Sequence, residues 1–84
     1  MSRPRRLATP RSARVSAGPN GRPLSVDGHH VDAVRESWLL EDRWWTQRPL
    51  RRRYWEVVTD SGRNLTVFRD LADGPAHGKW YVQR

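Results

Sequence analysis

Arg53-Tyr54-Trp55-Glu56-Val57-Val58-Thr59, followed by Asp60-Ser61-Gly62-Arg63 and then Asn64-Leu65-Thr66-Val67-Phe68-Arg69-Asp70-Leu71, is the stretch that decides the fold. The first run is rich in aromatic and β-branched residues, the middle four have turn chemistry, and the last run alternates apolar with polar. This predicts a β-hairpin. Ala72 to Gly78 holds two Gly and one Pro and makes a looser connection, after which Lys79 to Gln83 forms a last strand. A three-stranded meander results. In the simplest register Trp55, Val57, Leu65, Val67, Trp80 and Val82 share one face, while Tyr54, Val58, Phe68 and Tyr81 share the other. Two apolar faces leave two solutions. Either the sheet curls into a barrel with a wetted aromatic outer wall, or its second face packs on an N-terminal hairpin.

Toward the N-terminus, Ala13-Arg14-Val15-Ser16-Ala17 and Leu24-Ser25-Val26 alternate around the turn signal Pro19-Asn20-Gly21-Arg22, which predicts a second hairpin. Pro23 opens its second strand, where the missing N–H is tolerated, and this places the pair at the sheet margin. His29 to Glu41 carries Val31, Val34 and Trp38 at helical spacing, yet its flanks favour a long bent strand. Asp42 to Leu50, with Pro49, is expected to be a structured loop or wide turn. Met1 to Ser12 is polar, rich in Arg and Pro, and without periodicity, so it is expected to be a disordered arm. The fold class expected is all-β, an antiparallel sheet or barrel of about five to six strands over residues 13–84 behind a basic arm at 1–12.

Composition bounds the function. A chain of 84 residues has room for one domain, with no Cys to supply disulfides or a thiolate zinc site. That composition fits a reducing, cytoplasmic setting. The Arg-rich start lacks the apolar core of a secretory signal, and no stretch approaches a membrane span. Net charge is +7, but residues 1–26 hold six Arg and no acid, leaving ten basic against nine acidic groups from Asp27 onward. The excess charge belongs to the arm, and such arms serve nucleic acid or other acidic surfaces.

Residues with chemistry concentrate in Arg43-Trp44-Trp45-Thr46-Gln47-Arg48-Pro49-Leu50-Arg51-Arg52-Arg53-Tyr54-Trp55, where five Arg interleave with four aromatics. Guanidinium groups grip phosphates as a fork, and flat aromatic faces stack unstacked bases at roughly 1–3 kcal/mol per base. Arg43, Trp44, Trp45, Arg48, Arg51, Arg52, Arg53 and Tyr54 are therefore the candidate nucleic-acid-binding residues. The competing interpretation is that the Trp residues form core and the Arg run a solvated rim. His29-His30 invites a metal, but adjacent strand residues point to opposite faces and only His77 remains to help. Glu36, Glu41, Asp42 and Glu56 have no acid–base spacing and are expected to pair with neighbouring Arg. No nucleophile, phosphate-loop or metal signature occurs, so neither an enzyme nor a cofactor is expected.

Gly28, Val31, Val34, Trp38, Arg43-Trp44-Trp45, Arg53-Tyr54, Thr59-Asp60-Ser61-Gly62 and Gly78-Lys79-Trp80-Tyr81-Val82 follow one another in a known order. Over residues 13–84 the chain resembles a small bacterial domain that occurs as short stand-alone proteins. In related form it ends ImuB-like proteins, the inactive Y-family DNA polymerase homologues of mutagenic translesion synthesis. The resemblance implies a place near error-prone DNA synthesis and assigns no site. Two functions follow as expectations. One is a non-catalytic accessory module of DNA repair that binds single-stranded or distorted DNA. The other is a protein–protein adaptor for a polymerase or repair complex, without direct DNA contact.

Overall fold

The computed structural model describes residues 10–42, 50–72 and 78–83. Its elements are all strands: β1 Arg11–Ser12, β2 Val15–Ala17, β3 Pro23–Val26, β4 His29–Asp42, β5 Leu50–Thr59, β6 Asn64–Asp70 and β7 Trp80–Gln83. They form one antiparallel sheet in the order β1-β7-β6-β5-β4-β3-β2. The all-β class and the β5-β6-β7 meander are as the alternation predicts. No helix of the described residues is long and apolar enough to cross a membrane.

Chain connectivity explains the curl. β1 and β2 stand at opposite ends of the strand order, yet only Ala13 and Arg14 separate them. A link of that length reaches about 10 Å at most, so the two sheet edges must lie side by side. Ala13 N donates to Trp80 O at 3.0 Å on one edge, and Asp27 N donates to Arg14 O at 2.7 Å on the other. Asp27 completes this clasp by accepting from Arg14 N and from Arg11 Nη1, both at 2.9 Å. The backbone hydrogen bond from Arg14, and then the bond from Arg11, hold the Asp27 carboxyl below the usual carboxylate range.

Seven strands are described where five to six were expected, and the additional one is β1. Two exposed residues inside a polar arm carry no alternation to read. They become a strand because the chain must cross from one edge to the other there, so Arg11 and Ser12 pair with β7 rather than belonging to a disordered arm that ends at Ser12. Residues 1–9 lie outside those described.

Turn chemistry sets each hairpin. Gly62 (φ 80°) follows Asp60-Ser61 in a three-residue loop closed by Thr59 N to Arg63 O at 3.0 Å and Gly62 N to Thr59 O at 2.9 Å. Gly21 (φ 85°) ends the β2–β3 loop in the same way, with Gly18 N to Arg22 O at 2.8 Å. A two-residue turn joins β3 to β4, with Asp27 at φ 49° and Gly28 at φ 85°. Both left-handed positions suit Asp-Gly. β4 runs as the long bent strand, with register shifts between Val31 and Ala33 and between Val34 and Glu36 that add to the curl. Asp42 and Leu50 pair as its last rung with β5, so strand reaches both ends of the stretch expected to be loop, and residues 43–49 lie outside the described residues.

The predicted faces hold. Val26, Val31, Trp55, Val57, Val67, Trp80 and Val82 form the buried inner cluster, with Val15 and Leu65 packed against it. The N-terminal hairpin therefore fills the inside of the curl rather than covering the outside. On the outer face Trp38, Tyr54, Phe68 and Tyr81 form a row across β4, β5, β6 and β7, with successive centroids 5.2, 5.0 and 5.1 Å apart. This wall is wet only toward its ends: Trp38 is 37% exposed while Phe68 is 1% exposed.

Candidate functional site

The hairpin register that pairs Trp55 with Val67 also sets Arg53 directly opposite Arg69 on the inner face. Trp80 continues this rung, directly opposite Arg69, and Trp55 lies on the next inward-facing rung opposite Val67; the two indole centroids are 5.2 Å apart. Each guanidinium leans over one ring, Arg53 over Trp55 and Arg69 over Trp80, both at 5.8 Å from the centroid. The inner face thus passes from valines to a mouth where tryptophans and arginines lie side by side. Arg69 Nε also donates to Gly78 O at 3.3 Å. Gly78 permits this approach, because a Cβ there would overlap the Asp70 carbonyl oxygen.

The β2–β3 loop brings a third cation to the same place. Arg22, whose backbone N–H donates to Asn20 Oδ1 at 3.3 Å, lines with Asn20, Ser37, Arg53, Trp55 and Arg69 a cleft of about 530 Å³. Among the described residues no carboxylate lines this cleft. The ion pairs lie elsewhere: Arg11 with Asp27 at 2.9 Å, Arg35 with Glu56 at 3.8 Å, and Arg51 with Glu41 at 3.3 Å. Like charges directly opposite each other on a sheet are destabilising, and stacking over an indole offsets this by about 0.5–1 kcal/mol for each guanidinium. The cleft can lower its electrostatic energy by taking an anion.

The residues singled out from sequence do not form one patch. Because strand side chains alternate, Arg51 and Arg53 face inward and Arg52 outward. Arg51 is paired with Glu41. The Arg52 guanidinium lies 4.4 Å above the Phe68 ring, and its Nη1 donates to Tyr54 Oη at 3.3 Å. Arg52 Nε is buried there without an acceptor. Tyr54 stacks on Trp38 at an interplanar angle of 2° and meets Phe68 on its other side, so it offers a base no open ring face. Only Arg53 of the described candidates enters the cleft. Arg43, Trp44, Trp45 and Arg48 lie outside the described residues.

Sequence reasoning missed Arg22 and Arg69. Arg69 had a signal, because the same register arithmetic that pairs Trp55 with Val67 pairs Arg53 with Arg69. Arg22 had none, since its approach depends on how one hairpin folds over another.

Other polar groups hold different chemistry. Thr59 and Ser61 share a hydroxyl–hydroxyl hydrogen bond of 2.9 Å. His29 Nδ1 lies 3.4 Å from Asp60 Oδ1, whose other oxygen accepts from His30 N at 3.3 Å. Among the described residues no group of three His, Cys, Asp or Glu is placed to hold a metal ion. Comparison with family models, with functionally described proteins and with solved structures matches none of them to this chain.

Proposed function

We propose that the protein is a non-catalytic nucleic-acid-binding module in which a single strand crosses the mouth of the curled sheet, its phosphates held by Arg22, Arg53 and Arg69. One observation carries this: two guanidinium groups paired directly across β5 and β6, with a third facing them and no carboxylate in the described lining. A phosphate supplies the missing counter-charge, and planar guanidinium groups suit its geometry. The cleft is concave and small, which favours a flexible single strand over a rigid duplex. The basic N-terminal residues Arg3, Arg5 and Arg6 add non-specific attraction. Resemblance to the ImuB-associated domain supports a role in DNA repair or translesion synthesis.

Titration into labelled oligothymidine and into duplex DNA, followed by anisotropy across a salt series, tests this. Three phosphate contacts on a single strand predict a slope of log affinity against log salt near about −2. Arg53→Glu with Arg69→Glu should weaken binding about a hundredfold, at about tenfold for each lost contact. Arg51→Glu, at a guanidinium already paired with Glu41, should cost less. Affinity indifferent to salt, or unchanged in the double variant, would overturn the assignment.

A further inference from the structure

The curled sheet has a second mouth. Along β6 the period of two that brings Arg69 to the inner face at one end, past Val67 and Leu65, brings Arg63 there at the other. Thr59 ends β5 on the same side, its backbone N–H donating to Arg63 O at 3.0 Å. With Ser61 beside them and Val26, Leu65 and Val82 beneath, they line a cavity of about 490 Å³, within the size range of small-molecule sites. It shares no lining residue with the arginine cleft, and Val57 and Val67, both 0% exposed, lie between the two along β5 and β6.

Charge on this rim is unequally matched. Arg11 is paired with Asp27 at 2.9 Å, and His29 Nδ1 lies 3.4 Å from Asp60 Oδ1. Among the described residues no carboxylate pairs with Arg63, so one guanidinium charge is left over. The hydroxyls also have capacity to spare. Thr59 is 1% exposed and its Oγ1 lies 2.9 Å from Ser61 Oγ, with either atom able to donate. An anion in the cavity selects one direction, Thr59 to Ser61 to anion, and hydrogen bonds in such a chain strengthen one another. One surplus positive charge, one hydroxyl donor and an apolar floor suit a ligand with a single carboxylate on a compact apolar group. A dianion or a nucleic-acid strand would bring further negative charge against Asp27, which lines the same cavity.

We propose that this second mouth binds a small monocarboxylic acid, with the carboxylate held in the fork of Arg63, Ser61 donating to it, and the apolar group set against Leu65 and the margins of Val26 and Val82. The site stands whether or not the arginine cleft binds nucleic acid.

The probe is 4-methylpentanoate, compared with its neutral amide, with acetate and with inorganic phosphate, each titrated into the full chain labelled with nitrogen-15. The backbone amide resonances of Ser61 to Leu65 should shift with saturation below about 10 mM for 4-methylpentanoate. The amide should bind at least about tenfold more weakly for want of the charge-assisted fork, and acetate about tenfold more weakly for want of apolar contact. Arg63→Gln, an exposed change that does not threaten folding, should remove the preference for acid over amide while the circular dichroism spectrum is retained. Arg53→Glu with Arg69→Glu should leave the affinity for 4-methylpentanoate unaltered, which separates this site from the cleft. Equal binding of acid and amide, tighter binding of phosphate, or no saturable shift would overturn the proposal. So would a peptide ending in a free leucine carboxylate that binds more tightly than 4-methylpentanoate, because a chain end would then be the occupant.

Discussion

The two faces of β5, β6 and β7 are built from alternating residues of the same strands, and both hide aromatic rings, but by different means. Inside, Val57 and Val67 are fully buried because the sheet bends around them and β3 closes over with Val26. Outside, Phe68 is equally buried although no strand lies over it among the described residues. Among the described residues Tyr54 and Tyr81 flank it and the Arg52 guanidinium lies on top. Long flat side chains can bury one another on a single sheet surface, whereas valines require an opposing layer. Among the described residues the inner face therefore depends on the tertiary closure, and the contacts of the outer row follow from strand register.

Substitutions can break this contrast. Trp80→Ala removes the inner ring that supports Arg69 and should cost about 3–5 kcal/mol, read as a fall in the urea midpoint. Gly78→Ala forces β6 and the start of β7 apart and should cost about 2 kcal/mol; a smaller loss would mean that the connection shifts without disturbing the sheet. On the outer row Trp38→Ala should cost only about 1 kcal/mol, because the ring is partly exposed and contributes chiefly one stack. If Trp38→Ala matched Trp80→Ala in thermal denaturation, the outer row would be as much a core as the inner cluster.

The smallest effect expected is at the clasp. The Asp27 carboxyl is held below its ordinary value in the folded protein, so the stabilisation it provides is fully present above about pH 4 and is lost as pH falls through the depressed value. Asp27→Asn keeps the left-handed turn and an acceptor for Arg14 N while removing the charge. It should cost about 0.5–1 kcal/mol at neutral pH, since the Arg11 pair is partly solvated. The difference between variant and parent should vanish in acid. A difference that persists in acid would assign the cost to turn geometry instead of charge.

Much of this molecule was legible one residue at a time. Asp60-Ser61-Gly62 and Asn20-Gly21 mark turns because glycine reaches positive φ at little steric cost, and the period of two sorts Trp55, Val57, Leu65, Val67, Trp80 and Val82 onto one face. The same period, carried two residues further, separates Arg52 from Arg51 and Arg53, so the apparent arginine cluster was already divided by strand geometry. The extent of pairing between β3 and β4 had no such mark. Trp38-Leu39-Leu40 looks like core in sequence, and nothing local says that β3 stops pairing at His30.

By itself the sequence determined the strands other than β1, their turns and which side chains share a face, because these follow from backbone sterics and alternation over a few neighbouring residues. Tertiary structure decided the rest. Closure of the sheet through Arg11 to Arg14 brought distant edges together and carried Arg22 to the Arg53–Arg69 pair. Those outcomes join residues far apart in the chain, and their free energy is gained only once the whole sheet has curled.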